Sequence, residues 1–413
     1  MAEPTPQASP SVPHDAPFSA AFLTGYITVL FAYGWLSVNI YLPILPELEH
    51  VFDTSTRVAK LTVAVFLLAF ACSQLVWGPL SDHLGRKPVL LVGLGISAVA
   101  AVLSGLAPNV ELFVAARTIE ALALGVGPVL GRAVLTDTVD RAEIATILAY
   151  VVTVVALVPA LAPILGGYLA LWLSWSGIFF AVAVYGAAVW LLTLLSMRET
   201  LRAGAPRRTF RQVIDNYRTM LRNGRYSAYL VIYGVAFGSL LGYYATTPYL
   251  FTRELGYTSY QYGYLLIFNV VFYIAGAQIS RRIVRRAGVD RPILFAMIAY
   301  ATSTVAFFVV ELFVDLGTLS VLIPISIYIF GAGLVSPAAN AGAMTLFLDR
   351  AGAAAAFVGF AISIGGALFS GALAHVHVRD LWQLGVYVAV ITLVSSAIYF
   401  RFLRASLGAE TPA

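Results

Sequence analysis

Residues 114–128, VAARTIEALALGVGP, set an arginine and a glutamate three positions apart in a run that is otherwise apolar or small. On a helix this spacing puts Arg117 and Glu120 on one face, and Leu124, Gly127 and Gly131 continue the stripe, leaving room for solvent or a neighbouring helix. A carboxylate in a low-dielectric setting must pair, face water or take a proton, because burying it ionised costs at least about 2.5 kcal/mol. Two kinds of chemistry fit. The pair can be a fixed neutral unit that specifies packing. Alternatively, Glu120 can alternate between an arginine-paired anion and a neutral acid, since an apolar surrounding favours the protonated form and a guanidinium the ionised one.

The elements that must position this pair are membrane helices. The chain has 413 residues, 60% of them apolar and 11% charged, with a mean hydropathy of +0.87; soluble domains are about 45–50% apolar. Runs near 18–42, 58–80, 89–107, 111–134, 144–170, 174–197, 226–250, 259–280, 292–312, 318–340, 353–375 and 383–403 are long enough to cross a bilayer and too uniformly apolar for barrel strands. Of the 25 Lys and Arg, 20 fall in alternate loops on one side and four (Arg57, Lys60, Arg253 and Arg379) on the other, with Arg117 left inside. Arg132 counts here among the loop residues. The asymmetry predicts both termini in the cytoplasm, and it accounts for the basic character without a nucleic acid partner. Of the acids in the predicted spans, only Glu120 lies well inside one, about 13 Å from its outer end at 1.5 Å per residue.

Residues 1–17 are Pro-rich and lack Lys and Arg, which predicts a disordered cytoplasmic tail rather than a signal peptide. A six-helix bundle is expected over 18–197, a cytoplasmic linker over 198–225, a second bundle over 226–404 and a short cytoplasmic tail over 405–413. Within the linker, apolar residues at 210, 213, 214, 217, 220 and 221 predict an amphipathic helix on the membrane surface. The halves share a Gly, a basic residue and a Pro about 204 positions apart, in GPLSDHLGRKP at 78–88 and ISRRIVRRAGVDRP at 279–292, and Gly-Gly recurs at 166–167 and 365–366. Such an internal repeat points to duplication. Cys72 is the sole cysteine and forms no intrachain disulfide. His375 and His377 have no third ligand nearby, so no metal site is expected, and no H-E-x-x-H, G-x-S-x-G or phosphate-cradling loop suggests an enzyme or an ATP-driven pump.

Gly78, Asp82, Gly85, Arg86 and Lys87 stand in a pattern that resembles the G-x-x-x-D-x-x-G-R-[RK] loop of the major facilitator superfamily, at the expected place between spans two and three. NIYLPILPEL, APILGG, LSWSGIF, RET and NAGAMTLFLDRAG are similar to the bicyclomycin and chloramphenicol resistance branch of its drug/proton antiporters. The resemblance covers about 18–403 and implies an all-α fold of twelve spans in two pseudo-symmetric six-helix bundles that rock around a midplane cavity. Asp82 and Arg86 would then latch the cytoplasmic side. Pro159 and Pro163 would kink span five, and Gly166 and Gly167 would let a neighbouring helix approach. Ala162 replaces a glycine common in that motif. Arg117 matches the span-four R-x-x-[QH]-[GA] arginine, but Glu120 stands where its neighbour is commonly uncharged, and Asn39 stands where the branch often has Asp. The missing acid and the unexpected one suggest that Glu120 carries the proton, with Asn39 as its hydrogen-bonding partner.

Phe31, Trp35, Tyr233, Phe237 and Phe268 are deep aromatics that could line a cavity for flat amphipathic molecules, and Asn39, Asn269 and Asn340 are polar groups in membrane spans. The expected function is export of small amphipathic drugs in exchange for protons, driven by the proton gradient without a cofactor, by a monomer in a prokaryotic cytoplasmic (inner) membrane. The alternatives are a proton-coupled sugar or metabolite effluxer, and a non-transporting membrane sensor on the same fold.

Overall fold

In lipid every backbone amide must find its partner within the protein, which leaves long apolar segments little choice but to be helical. The computed structural model describes residues 18–155, 157–201, 210–347, 351–376, 378 and 380–404, and these form helices and short connections without a strand. The first half contains α1 (Ala20–Asn39), α2 (Leu45–Val51), α3 (Thr56–Leu84), α4 (Arg86–Gly105), α5 (Val110–Leu124), α6 (Val126–Thr138), α7 (Arg141–Val155), α8 (Val158–Trp172) and α9 (Trp175–Ser196). After the linker helix α10 (Phe210–Leu221) come α11 (Gly224–Tyr249), α12 (Ser259–Ala287), α13 (Asp290–Phe313), α14 (Thr318–Thr345), α15 (Ala351–Leu373) and α16 (Leu381–Ile398). Polar side chains start several of them: Ser19, Ser55, Asn109, Asn223 and Thr258 each accept a hydrogen bond from an amide of the first turn.

Eleven helical stretches among the described residues are long and apolar enough to cross a membrane. The fifth expected span is instead two helices, α7 and α8, whose break falls just before Pro159. Proline is tolerated in the first turn, where its missing amide would be unpaired anyway, so the sequence starts a new helix there rather than bending one. Pro163 lies inside α8, and both prolines are buried. The outer surface is apolar, with Trp172 85% and Leu195 75% exposed, as suits contact with lipid. In α10, Met220 is buried and Tyr217 stacks edge-on against Phe357 of α15, whereas Leu221 is exposed.

Within each half the Gly-Gly pairs serve as approach points. A Cβ on Gly166 would sit 1.7 Å from the Ile40 carbonyl oxygen beyond α1, and one on Gly365 would sit 2.2 Å from the Gly234 carbonyl oxygen of α11. Span five thus meets span one as span eleven meets span seven, which is the duplication expressed in packing. The two bundles join along α3 with α15 and along α8 with α12.

Candidate functional site

Arg117 and Glu120 lie in the last two turns of α5, both fully enclosed at 1% and 0% exposure. Arg117 Nη1 donates to Glu120 Oε2 at 2.7 Å and to Ser37 Oγ at 2.8 Å, and Nη2 donates to the Ser37 carbonyl at 2.9 Å. Ser37 Oγ in turn donates to Glu120 Oε1 at 2.5 Å, closing a ring of three residues across α1 and α5. The guanidinium packs among the rings of Phe66, Tyr41 and Phe179 at 4.3, 4.6 and 5.4 Å. Such charge-assisted bonds inside an aromatic cage make the ionised pair tenable where a single charge would not be. The arrangement can hold a proton equivalent: protonating Glu120 would release Arg117 from its counter-ion.

The expected partner of Glu120 was Asn39, and the structure places Ser37 there. The Asn39 amide turns back on its own helix, donating to the Trp35 carbonyl at 2.7 Å, and its Oδ1 is buried without a hydrogen-bond partner. Residues two apart on a helix point about 200° apart, so only one of the two can face α5. The stripe that continues from Glu120 is taken up by a neighbouring helix. Gly127 lies against the Leu30 carbonyl and Gly131 against the Phe31 ring, so the small residues admit α1.

Three of the aromatic candidates do meet. Trp35 of α1 stands edge-on to Phe237 of α11 at 5.4 Å, Phe237 is 6.3 Å from Tyr233, and Trp35 also contacts Phe70 of α3. Phe31 lies one turn from Trp35, beneath the guanidinium of Arg132. This aromatic group is contributed by both halves, and Trp35, Tyr233 and Phe237 are half-buried. Phe268 is not part of it: at 42% exposed it sits on the apolar stripe of Tyr264, Ile267, Val271 and Ile274 that faces the membrane. Asn269, on another face of α12, is fully buried with Tyr243 as the polar neighbour of its amide. Asn340 is half-buried near the end of α14. Sequence reasoning missed Arg132, counted with the loops; it lies within α6, half-buried.

The loop after α3 is a compact charge cluster. Arg86 Nη1 donates to Asp82 Oδ1 at 2.6 Å and to Ser81 Oγ at 2.5 Å, and Nε donates to Asp137 Oδ2 at the end of α6 at 3.0 Å. Gly85 has φ +98°, which a side chain would strain, and a Cβ there would lie 2.6 Å from Glu199. Glu199 caps α4, accepting from the amides of Arg86 (2.9 Å) and Lys87 (3.2 Å) and from those of Thr200 and Leu201. Burial opposes its ionisation, but these four donors outweigh that and hold its carboxyl below the ordinary range. Gly78 is not sterically required, since its nearest neighbour would be at an ordinary 3.5 Å. Asp137, and Glu199 of the RET stretch, are working members of the cluster. His375 Nδ1 is 2.9 Å from the Gly371 carbonyl, while His377 lies outside the described residues.

The profile of the major facilitator superfamily matches residues 26–370. The chain belongs to that superfamily. This major facilitator protein is 25% identical over 368 residues to Multidrug resistance protein D of Escherichia coli K12, covering 89% of this chain and 92% of that one. It is also 25% identical over 387 residues to the Bicyclomycin resistance protein homolog of Haemophilus influenzae, covering 92% and 95%. Among solved structures it is similar to a bacterial homologue of the human lysosomal transporter Spinster, with a TM-score of 0.71, 15% identity, and coverage of 95% of this chain and 99% of that one. It is a multi-pass membrane transporter and not an enzyme.

A transporter of this fold opens to one side at a time, so the polar ties between its halves tell which side is closed. Arg253 pairs with Glu49 and donates to Thr56 at 3.2 Å, and Lys60 donates to the carbonyls of Leu373 (3.4 Å) and Val376 (3.2 Å). Tyr168 bonds Tyr264, and Gln74 Nε2 donates to Ser363 at 3.3 Å near the middle of α3 and α15. These hydrogen bonds and ion pairs between the halves lie at the face opposite the basic loops or at mid-depth. The transporter is closed on the face opposite Arg86.

Proposed function

We propose that this transporter exports small amphipathic drugs from the cytoplasm in exchange for protons, in a prokaryotic inner membrane with both termini cytoplasmic. The observation that carries the reading is that α1 bears both sites: Phe31 and Trp35 on the aromatic group that bridges the halves, and Ser37 in the ring with Arg117 and Glu120. A flat ligand that displaces Trp35 shifts Ser37, and with it the balance between the paired anion and the neutral acid. The sign fits export. In the proposed cycle the carrier closed on the outer face loads from the cytoplasm after giving up its proton, with Glu120 left on Arg117. Opening outward then releases the ligand and admits a proton to Glu120. The aromatic lining, poor in amides, favours amphipathic drugs over sugars, and the two relatives bearing drug-resistance names agree in kind.

Glu120→Gln is expected to abolish drug uptake driven by a pH gradient in everted vesicles while leaving counterflow of drug against drug. Full gradient-driven uptake by the variant would refute the role of Glu120. A host lacking its own efflux pumps that gains no resistance to any amphipathic compound would refute drug export itself.

A further inference from the structure

Arg132 is the feature that proton coupling leaves unused. It sits six residues before the end of α6, about 9 Å inside the helix at 1.5 Å per residue. Its guanidinium lies 5.2 Å from the Phe31 ring, and its electrostatic neighbour is the Tyr233 phenol of α11, in the opposite half. Nη1 is buried and has no hydrogen-bond partner among the described residues, and no described carboxylate acts on the group. The backbone of α6 meets the other half at α15, so Arg132 lies on the side of α6 that faces the opposite bundle. Arg117 shows how this chain can satisfy a buried guanidinium from within: it supplies a carboxylate, a hydroxyl and a carbonyl. Arg132 is given one aromatic face and a phenol.

We propose that Arg132, with the Tyr233 hydroxyl, binds a carboxylate on the transported molecule, whose flat apolar body lies on Phe31, Trp35 and Phe237. A guanidinium offers two parallel N–H donors that match the two oxygens of a carboxylate, and a phenol can donate a third bond. The aromatic rings beside it accommodate the uncharged remainder. The substrate class is therefore amphipathic aromatic acids and zwitterions rather than simple lipophilic cations, which Arg132 would repel. This rests on the export reading for the direction of transport, but the binding site does not depend on that reading.

The test is ligand-induced thermal stabilisation of the purified full-length protein in detergent, with 2-naphthoate and its uncharged amide, 2-naphthamide, as probes. The acid is expected to bind at least tenfold more tightly than the amide. Arg132→Gln should erase that preference while leaving the amide within about twofold, and Arg132→Lys, which keeps the charge but not the paired donors, should retain only part of it. Equal binding of acid and amide by the wild type, or an unaltered preference in Arg132→Gln, overturns the proposal. If Arg132→Gln does not fold, the wild-type preference and its partial loss in Tyr233→Phe decide the matter in the same way. Efflux in cells separates the two claims. Acid binding without export of any compound leaves the Arg132 site standing and removes the export reading, whereas export of cationic dyes without acid binding does the reverse.

Discussion

At the scale of single residues, the ring of Ser37, Arg117 and Glu120 behaves as a unit, and its energetics separate pair from parts. Removing one member of a buried ion pair leaves the other charge uncompensated and costs about 3–5 kcal/mol, whereas replacing both with apolar groups of similar volume is often neutral or stabilising. Glu120→Leu is therefore expected to lower stability in micelles steeply, and Arg117→Met with Glu120→Leu to restore most of it while losing proton-coupled transport. Denaturant unfolding of the two singles and the double gives the coupling directly; additive losses would mean the residues do not act together. The charged pair itself was legible in the sequence, because three-residue spacing on a helix fixes a common face. Its third member was not. Choosing Ser37 over Asn39 requires the rotation of α1 about its axis, and a helix apolar nearly all round carries no such signal. The same missing phase put Phe268 with the cavity when it faces lipid, and the hydropathy of α6 gave no means to tell an inward Arg132 from one in a loop.

At the scale of elements, the segment after α9 is held to the start of α4 by one carboxylate. Glu199 satisfies two of the amides that a helix start leaves unpaired, and it also sits where the α4 dipole is positive. Glu199→Ala is expected to cost about 1–2 kcal/mol. Because its folded carboxyl lies below the ordinary value, its contribution is complete above about pH 4.5 and is lost as the pH falls through the folded value. The stability gap between wild type and Glu199→Gln should therefore be constant at neutral pH and shrink on acidification in thermal melts between pH 7 and 3.5. A gap that does not shrink would place the stabilisation in shape rather than charge. The spans, the loop between α3 and α4 and the Gly-Gly approaches were readable, since length, hydropathy and small residues report local needs. Asp137 as a second partner of Arg86 was not, because it is 51 residues away in sequence and only the packing of α4 on α6 brings the two together.

At the scale of the whole molecule, what must be explained is what holds the halves together on the face opposite the basic loops. The ties opposite the basic loops are unequal. Glu49 with Arg253 is half exposed on the arginine side, and such a pair is worth about 1 kcal/mol at most. Lys60 is 2% exposed, with its ammonium on two carbonyls of the other half, and hydrogen bonds to a charged group are worth about 1.5–3 kcal/mol. Lys60 also lies over the Tyr249 ring at 5.1 Å, so it joins α3 to α11 as well as to the end of α15. Lys60→Met should therefore shift the balance toward the outward-open form by about tenfold or more, with Glu49→Gln adding less. The chain lends itself to the measurement, since replacing Cys72 by Ser removes its only cysteine. A new cysteine at Ser363, between the halves on Gln74, then reports access from either side. Maleimide applied outside intact cells is expected to label it at least tenfold faster in the Lys60→Met background, while labelling from the inner side of everted vesicles slows. Unchanged labelling from both sides would mean that the apolar seam of α3 with α15, not the lysine, keeps the outer face shut.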